Sequence, residues 1–486
     1  MSDPRLCVTV TGRTAGAIAR AREAAEADAD LVEVRLDGME RPDAAAALQG
    51  RRKPVIVTCR PARAGGRFDG SDEERTRVLD EAHALGADYI DIDFKAPCDA
   101  VMTARRGRGV IVSHHDFDGT PSDVPGLLAA MRGTAAEIVK LATSPHAVSE
   151  LIPLLNAADA QPATILIGMG PSGVASRILA ARFRSPWTYA GDGVAPGQLS
   201  PTRMLNEFRF RRIRHDTHVY AVVGRPVLQS LSCAMHNAGF AARGLNAAYI
   251  PLETGDAGDF RHFADAIGLR GASITIPLKI DVVPLLDDVS PLALDAGAVN
   301  TISVRHGRWL GTNTDVDGFL EPLRRRTSIE GLRAVVLGAG GAARGVAFGL
   351  ARSGAAVAIA ARRSEAAREA AAAVSVATAA WPPAPGSWDL LVNATPVGSR
   401  AVPGTPVDLA LDGRIVYDLV YDPPLTPLLE LAQTRGCTAI GGLEMLVAQA
   451  ERQFEIWTGQ RPPGGLFTTI AEQTLASRSA GTIAYD

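Results

Sequence analysis

Short apolar, β-branched runs alternate with Ala-rich segments through the first part of the chain. The runs fall at residues 6–10, 31–36, 55–59, 89–94, 110–113, 138–141, 164–168 and 187–190. Segments between them, such as 15–27 and 71–85, repeat apolar residues at helical intervals and carry charges elsewhere. Eight strands, each followed by a helix, predict a (β/α)8 TIM barrel over residues 1–214. That fold gathers its chemistry at the C-terminal ends of the strands. From residue 218 the pattern changes. Strands are expected at 218–223 and 248–250, an apolar run at 271–279 (GASITIPLK), and a hairpin-like stretch before Gly311-Thr312-Asn313-Thr314-Asp315. Then Val335-Val336-Leu337 leads into Gly338-Ala339-Gly340-Gly341-Ala342 and an Ala-rich helix to Ser353, with a second strand at 356–360. The fold class is α/β throughout, and the last unit is Rossmann-like.

Strand, glycine turn and helix come in the order that a dinucleotide pyrophosphate needs. Glycines let the backbone approach the phosphates, and the helix N-terminus offers free N–H groups at the positive end of its dipole. The second strand ends in Arg362-Arg363-Ser364. It lacks the Asp or Glu that would take a ribose 2′-hydroxyl, and arginine suits a 2′-phosphate. The reading is an NADP site; the plain alternative is an ordinary strand–helix turn.

Composition narrows the classes. A chain of 486 residues has room for two or three domains. No run approaches the roughly eighteen apolar residues of a membrane span. A net charge of −3, from 50 basic and 53 acidic residues, gives no reason to expect nucleic acid or membrane as partner. Five cysteines (Cys7, Cys59, Cys98, Cys233, Cys437) are scattered without CxxC spacing, which points to reduced thiols and to no metal site. A strand-like run starting at residue 6 leaves no room for a signal or transit peptide, so a cytoplasmic location is expected. The basic stretch FRFRRIRHDT at 208–217 reads as a solvated face or a complement to a helix C-terminus. A strand begins directly after it, so the linker is short and the halves are expected to pack together.

The strand ends of the barrel are informative. Strand two ends with Glu33 and Arg35, strand three with Arg60, strand five with His114-His115-Asp116, and strand six carries Lys140. Strand seven leads to Met169 and Arg177, and strand eight to Ala195-Pro196-Gly197-Gln198. Converging cations suit an anionic substrate. A lysine inside Ile138-Val139-Lys140-Leu141 is the sharper clue. Burial among cations lowers an amine's pKa and makes it a nucleophile able to form a Schiff base with a ketone. The alternative is a lysine that snorkels to the rim or pairs with a carboxylate. His115 offers a general acid/base nearby, while His114 should point to the other side of the strand. Glu33-Val34-Arg35-Leu36-Asp37, Thr58-Cys59-Arg60-Pro61, Ser113-His114-His115-Asp116-Phe117, Lys140-Leu141-Ala142, Met169-Gly170 with Ser176-Arg177, and Ala195-Pro196-Gly197-Gln198 together resemble type I 3-dehydroquinate dehydratase. The resemblance covers residues 4–210 or so. It implies an imine between Lys140 and the ketone of dehydroquinate, proton shuttling by His115, and substrate contacts from Glu33, Arg35, Arg60, Arg177 and Gln198. Two positions depart from the family pattern. Ala64 stands where a Glu usually orients the catalytic His, and Val194 stands where a hydroxyl residue is usual.

The second half offers paired hydroxyls (Ser230, Ser232), an amide (Asn300), and a lysine with an aspartate (Lys279, Asp315). Such a set recognises a polyhydroxylated acid and passes a proton to a carbonyl oxygen during hydride transfer; the alternative is that Lys279 and Asp315 form a structural salt bridge. SxS, ITIPxK, GAVNT, NTD, GAGGAAR, NATP, YDLVYxP and GGxxMLxxQA appear in order. With them residues 218–486 resemble shikimate dehydrogenase. The resemblance implies that Lys279 and Asp315 are the catalytic pair, with Ser230, Ser232, Thr275, Asn300, Tyr421 and Gln449 around the substrate. Gly338, Ala339, Gly340, Gly341, Ala342, Arg362, Asn393, Thr395 and Gly442 would hold NADP(H). A substrate-binding lobe is expected at 218–325, completed by a C-terminal helix at about 450–486, and an NADP-binding Rossmann-like lobe at 331–449. Gln229, Cys233 and Ser273 are mild departures, and Ser273 with the fused order is similar to the plant bifunctional enzymes.

The whole chain is therefore expected to dehydrate 3-dehydroquinate and reduce 3-dehydroshikimate to shikimate as a monomer or homodimer. A quinate dehydrogenase fusion is disfavoured by the retained Ser230, Ser232 and Thr275. A non-catalytic quinate-sensing regulator is disfavoured by the retained Lys140, His115, Lys279 and Asp315.

Overall fold

In the computed structural model, residues 4–96, 99–158, 163–407 and 411–479 are described; Cys98 lies outside them. Eight strands open the chain: β1 (Arg5–Thr11), β2 (Leu31–Arg35), β3 (Val55–Thr58), β4 (Tyr89–Asp93), β5 (Val110–Asp116), β6 (Ile138–Thr143), β7 (Thr164–Gly168) and β8 (Trp187–Ala190). They are parallel and ordered β7-β6-β5-β4-β3-β2-β1-β8, with β7 and β8 coming side by side to complete the ring. Alternate side chains divide two layers, as the pleat requires. Cys7, Leu31, Ile56, Ile111, Ile138, Ile165 and Trp187 form one apolar cluster inside the ring. Residues of the opposite parity, such as Val8, Val32, Val57, Val112, Val139 and Leu166, join the layer under the helices. Strands β5 and β6 run further than their apolar runs. The ladder continues through Ser113–Lys140, His114–Leu141, His115–Ala142 and Asp116–Thr143, so pairing carries polar residues that face the barrel mouth. The surrounding helices start on local signals. Asp72–Ala84, for instance, begins with a capping box in which Ser71 Oγ accepts from Glu74 N (3.2 Å) and Glu74 Oε2 accepts from Ser71 N (2.8 Å).

A second sheet follows: β9 (His218–Gly224), β10 (Ala247–Glu253), β11 (Gly271–Ile274), β12 (Asp288–Val289), β13 (Thr301–Arg305) and β14 (Arg308–Thr312). Its order is β10-β9-β11-β13-β14-β12, with β13 antiparallel to both neighbours. The third sheet is all parallel: β15 (Arg333–Leu337), β16 (Ala356–Ala360), β17 (Ala377–Thr378), β18 (Leu390–Asn393), β19 (Ile415–Asp418) and β20 (Thr438–Gly441). Its order, β17-β16-β15-β18-β19-β20, reverses direction beside β15, which opens the crevice where such sheets bind ligands. The helix Gly442–Thr458 leaves β20 and crosses to the second sheet, where Trp457 Nε1 donates to Ile302 O at 2.9 Å. The helix Leu466–Ser479 packs there too. At Gly239 a Cβ would come within 2.8 Å of the Phe454 and Phe467 rings, so only glycine fits beneath them.

The barrel and the second sheet are packed directly against each other. Arg182 Nη2 donates to Thr217 O (2.9 Å) and Arg203 Nη2 to Leu228 O (2.8 Å). The Asp259 carboxylate accepts the N–H groups of Val148 (3.1 Å) and Ser149 (2.8 Å) from the loop after β6. One apolar cluster runs from the barrel through Phe208, Phe210 and Ile213 into β9. The barrel helix Gly170–Ile178 lies on β10. The arginine-rich stretch begins where a short π-helical turn (Arg203–Glu207) ends, passes through Arg209 in the left-handed region at φ 53°, and continues as a 3-10 turn (Phe210–Arg212). The buried Phe208, Phe210 and Ile213 pull the backbone inward and leave the arginines on the outside.

Candidate active sites

The pleat that sends Ile138 inward also sends Lys140 inward. Its amine donates to Asp91 Oδ2, lies 3.9 Å from Glu33 Oε1, and sits 4.9 Å over the ring of Tyr189. The expectation of an amine among cations is corrected here: its closest charged neighbours are carboxylates, because β2 and β4 bring Glu33 and Asp91 to the same height inside the ring. Glu33 is held by the hydroxyls of Thr9 (2.9 Å) and Thr58 (2.8 Å). Asp91 also accepts from Ser113 Oγ (2.6 Å) and pairs with Arg60 Nη2 (3.0 Å). Burial works against its charge, yet Arg60 and Lys140 hold it below the usual carboxylate range. Asp91 is absent from the residues expected on sequence. Its one signal is parity, since it shares the inward phase of β4 with Tyr89 and Asp93 in YIDID.

Arg60 Nη1 reaches His115 Nδ1 at 3.1 Å. A guanidinium only donates, so this contact assigns Nδ1 as acceptor and leaves the ring proton on Nε2. Burial, with the charges of Arg60 and Lys140, pushes His115 well below the ordinary histidine value and keeps it neutral. The methyl side chain of Ala64 is buried and offers the ring no acceptor. His114 lies on the opposite side of the strand, half-buried, with its pKa lowered by burial.

Arg35 is committed to a forked pair with Asp37, at 2.8 Å on each arm, and Asp37 also accepts the N–H groups of Arg60 (3.2 Å) and Arg67 (3.1 Å). Arg35 thus reaches the rim with Nε and Nη2 already bound to Asp37. Arg177 is 2% exposed, with Nη1 near Tyr189 O (3.4 Å) and Nη2 near Pro196 O (3.3 Å). Burial lowers its pKa to about 10. Its Nε has no partner among the described residues, and neither has Gln198 Oε1, whose Nε2 donates to Thr9 Oγ1 at 3.2 Å. Two unsatisfied buried groups beside the 195–198 loop mark a place for a polar ligand. Gly197, at φ 71°, closes this loop onto Gly170, where a Cβ would lie 2.5 Å from the carbonyl oxygen.

In the second half Lys279 Nζ donates to Asp315 Oδ2 at 2.5 Å. Asp315 begins the helix Asp315–Arg324, and its other oxygen accepts from Asn300 Nδ2 at 2.7 Å. The Asn300 amide is fixed in turn, with Oδ1 accepting from Thr314 N (2.7 Å) and Thr301 Oγ1 (2.7 Å). Thr275 follows β11, Ser232 heads the helix Ser232–Ala242, and Ser230 Oγ accepts from Ser232 N at 3.2 Å. Gln449 Nε2 is turned to Leu446 O (2.9 Å), and Tyr421 is half-buried, its pKa raised by burial. A buried relay lies behind this set that sequence reasoning missed. Tyr249 donates to Ser273 Oγ (2.5 Å), Ser273 to Gln453 Oε1 (2.7 Å), and Gln453 Nε2 to Thr301 Oγ1 (3.0 Å).

The glycine loop meets this site directly. A Cβ at Gly341 would lie 3.3 Å from Lys279 Cβ and Cδ. Gly338, at φ 118°, approaches Ala394 O, while Gly340 has open space around it. The helix Gly341–Arg352 has no side-chain cap, so its first N–H groups face that space. Arg362 and Arg363 are exposed just past β16, and neither side chain has a hydrogen bond or ion pair among the described residues. Asn393 turns inward. Its Nδ2 donates to Val397 O (2.9 Å) and Asp418 Oδ1 (2.8 Å), and its Oδ1 accepts from Thr395 N (3.0 Å) and Oγ1 (2.7 Å). Asn393 thus shapes the loop beside Gly338 without facing the crevice itself. At Gly442 a Cβ would collide with Leu419 O at 2.2 Å. An uncapped helix N-terminus, an open glycine turn and two unpaired arginines fit the phosphates of NADP(H).

Residues 6–214 match the family model of type I 3-dehydroquinase. Residues 222–302 match the shikimate dehydrogenase substrate binding domain, and 442–465 the shikimate 5′-dehydrogenase C-terminal domain. Fold and sites thus define a two-enzyme chain, a lyase barrel joined to a dehydrogenase. The chloroplastic bifunctional 3-dehydroquinate dehydratase/shikimate dehydrogenase of Arabidopsis thaliana is 35% identical over 493 residues, covering 92% of this chain and 81% of its own. The chain belongs to the family of bifunctional 3-dehydroquinate dehydratase/shikimate dehydrogenases. The shikimate dehydrogenase (NADP+) of Moorella thermoacetica is 40% identical over 56% of this chain and 99% of its own length. A crystal structure of shikimate dehydrogenase in complex with NADP+ superimposes with a TM-score of 0.51 at 32% identity, over 54% of this chain and 97% of its own. Among the described residues no helix is long and apolar enough to cross a membrane.

Proposed function

We propose that the two sites act in sequence on one small carbocyclic acid, in the cytoplasm. Residues 1–214 form the dehydratase. Residues 218–325 with the C-terminal helix form the substrate lobe of the dehydrogenase, and residues 331–449 its NADP lobe. In the barrel the Lys140 amine adds to the ketone of 3-dehydroquinate and water leaves, giving an imine. The imine draws electrons from the neighbouring C–H bond; neutral His115 accepts that proton and returns it to the departing hydroxyl, and hydrolysis frees Lys140 and 3-dehydroshikimate. Glu33, Arg60, Arg177 and Gln198 hold the hydroxyls and carboxylate, and Arg35 acts through Asp37. The observation that carries this reading is a buried amine between the carboxylates of Asp91 and Glu33, with His115 held by Arg60 in the same barrel mouth.

In the second half NADPH supplies a hydride to the ketone of 3-dehydroshikimate. Lys279 gives its proton to the ketone oxygen, oriented by Asp315, which Asn300 holds from behind. Ser230, Ser232, Thr275, Tyr421 and Gln449 surround the ring. Gly338 to Ala342, Arg362, Thr395 and Gly442 hold the cofactor. Feeding 3-dehydroquinate to the purified chain tests both steps. 3-Dehydroshikimate is expected without NADPH and shikimate with it. Failure to form 3-dehydroshikimate would overturn the barrel assignment, and its accumulation despite NADPH would overturn the dehydrogenase assignment.

A further inference from the structure

A cleft of about 440 Å³ opens at the edge of the second sheet, lined by His218, Tyr220, Arg270, Arg305, His306 and Trp457 among others. It lies where β9 and β11 begin and β13 ends, the edge opposite the strand ends that carry the dehydrogenase residues. No aspartate or glutamate lines it. The Arg270 side chain has no hydrogen bond or ion pair among the described residues, and Arg305 is anchored by one contact, Nη2 to Ile456 O at 2.9 Å. The aromatic wall is built in advance. Trp457 is fixed by its bond to Ile302 O (2.9 Å) and lies 5.4 Å from the Tyr220 ring centroid. It also packs over Gly271, where a Cβ would come within 2.5–2.9 Å of three indole atoms. A glycine kept clear for a half-buried indole, next to unneutralised arginines, is a recognition surface for charge and ring together.

We propose that this cleft binds a small planar organic anion, an aromatic ring bearing a carboxylate or a phosphate. Arg270 and Arg305 take the charge, and Trp457 with Tyr220 takes the ring. The reading stands apart from the two catalytic sites. It meets the dehydrogenase site along β11 and β13 and along the helix Gly442–Thr458, which carries Trp457 at one end and Gln449 and Gln453 in its middle.

The test is calorimetric titration of the full-length chain with benzoate, phenyl phosphate and inorganic phosphate, with tryptophan fluorescence followed in parallel. At least one aromatic probe is expected to bind saturably and to quench a signal that Trp457→Phe removes, with inorganic phosphate at least tenfold weaker. Which aromatic probe binds more tightly tells carboxylate from phosphate ester. The Arg270→Ala/Arg305→Ala double variant is expected to bind at least tenfold more weakly, while both enzyme activities measured without probe confirm that it folds. Three outcomes each overturn the proposal: no saturable binding of either aromatic probe, equal binding by the double variant, which would place the probe in a catalytic site, or inorganic phosphate binding as well as phenyl phosphate.

Discussion

Replacing Lys140 with methionine keeps the length of the side chain and removes the nucleophile. Lys140 and Asp91 are 4% and 2% exposed, and breaking a buried pair from one side costs about 3–5 kcal/mol when the remaining charge is abandoned. Here Asp91 keeps Arg60 at 3.0 Å and Ser113 at 2.6 Å. The expected loss is therefore smaller, about 1–3 kcal/mol, or a fall of roughly 2–12 °C in the melting of a unit this size. The native carboxylate is held below its usual range. Its contribution is therefore present above the unfolded pKa of about 3.9 and is lost as pH falls below it, so the variant's deficit shrinks towards pH 3. Dehydration should vanish while shikimate oxidation stays near wild type. In the wild-type chain, borohydride with dehydroquinate should add the reduced substrate to the peptide carrying Lys140, read by mass spectrometry. An active enzyme whose Lys140 stays unmodified under trapping, or a Lys140→Met variant that still dehydrates, refutes the covalent route.

Lys279→Met should lower turnover of the reduction by about 10²–10⁴-fold with KM moved much less; a protein that melts early yet turns over normally would make the pair a structural bridge, and its dehydratase activity serves as internal control. Arg362→Ala should weaken NADP about ten- to a hundredfold while leaving NAD almost unchanged, and equal losses for both would show that another group reads the 2′-phosphate. His236 is fully buried among Tyr249, Phe240, Phe454, Phe467 and Trp457, and burial lowers its pKa to about 3. The unfolded chain then binds a proton below about pH 6.5 that the native state refuses, so stability falls on acidification by up to about 1.4 kcal/mol per pH unit. Thermal midpoints at pH 7 and pH 5 should lie closer together in His236→Gln than in wild type, and unchanged spacing would reject this account.

What was legible in the sequence was what period and local chemistry carry. The two-residue pleat put Glu33, Lys140 and His115 on one face because each stands two or four positions from an apolar neighbour of the same phase, and the glycine turn announced itself between two β-branched runs. The partners of these residues were hidden by distance along the chain. Asp91 reaches Lys140 across 49 positions, and Gln453 reaches Ser273 across 180, and neither has a local pattern that names its companion. Arg35 and Asn393 suit ligand contacts by type, but their type alone does not reveal that Asp37, two residues on, pairs with the first or that buried Asp418 pairs with the second. The course of the chain beyond the helical turn that ends at Phe208 is hidden for a related reason. The buried Phe208 and Phe210, which decide the turn, draw their burial from β9 and the barrel, not from their neighbours in sequence.

Strand β10 is the outermost of its sheet, pairing with β9 on one side, and the barrel helix Gly170–Ile178 occupies the other. An open strand edge is a template for pairing with other chains, which proteins usually blunt with charge, bulges or proline. In AAYIPLE the last of these devices is present once and the strand is otherwise largely apolar, so the shielding comes from the Asn237 amide, which accepts from Tyr249 N and donates to Tyr249 O at 2.8 Å each, and from the barrel helix. Joining the two enzymes therefore bears on solubility as well as on catalysis. A dehydrogenase severed at residue 217 would keep the Asn237 cap but lose the barrel helix from this flank. In the intact chain the barrel leaves the ribosome first and is ready to cover that flank as the second sheet forms, acting as a chaperone that never lets go.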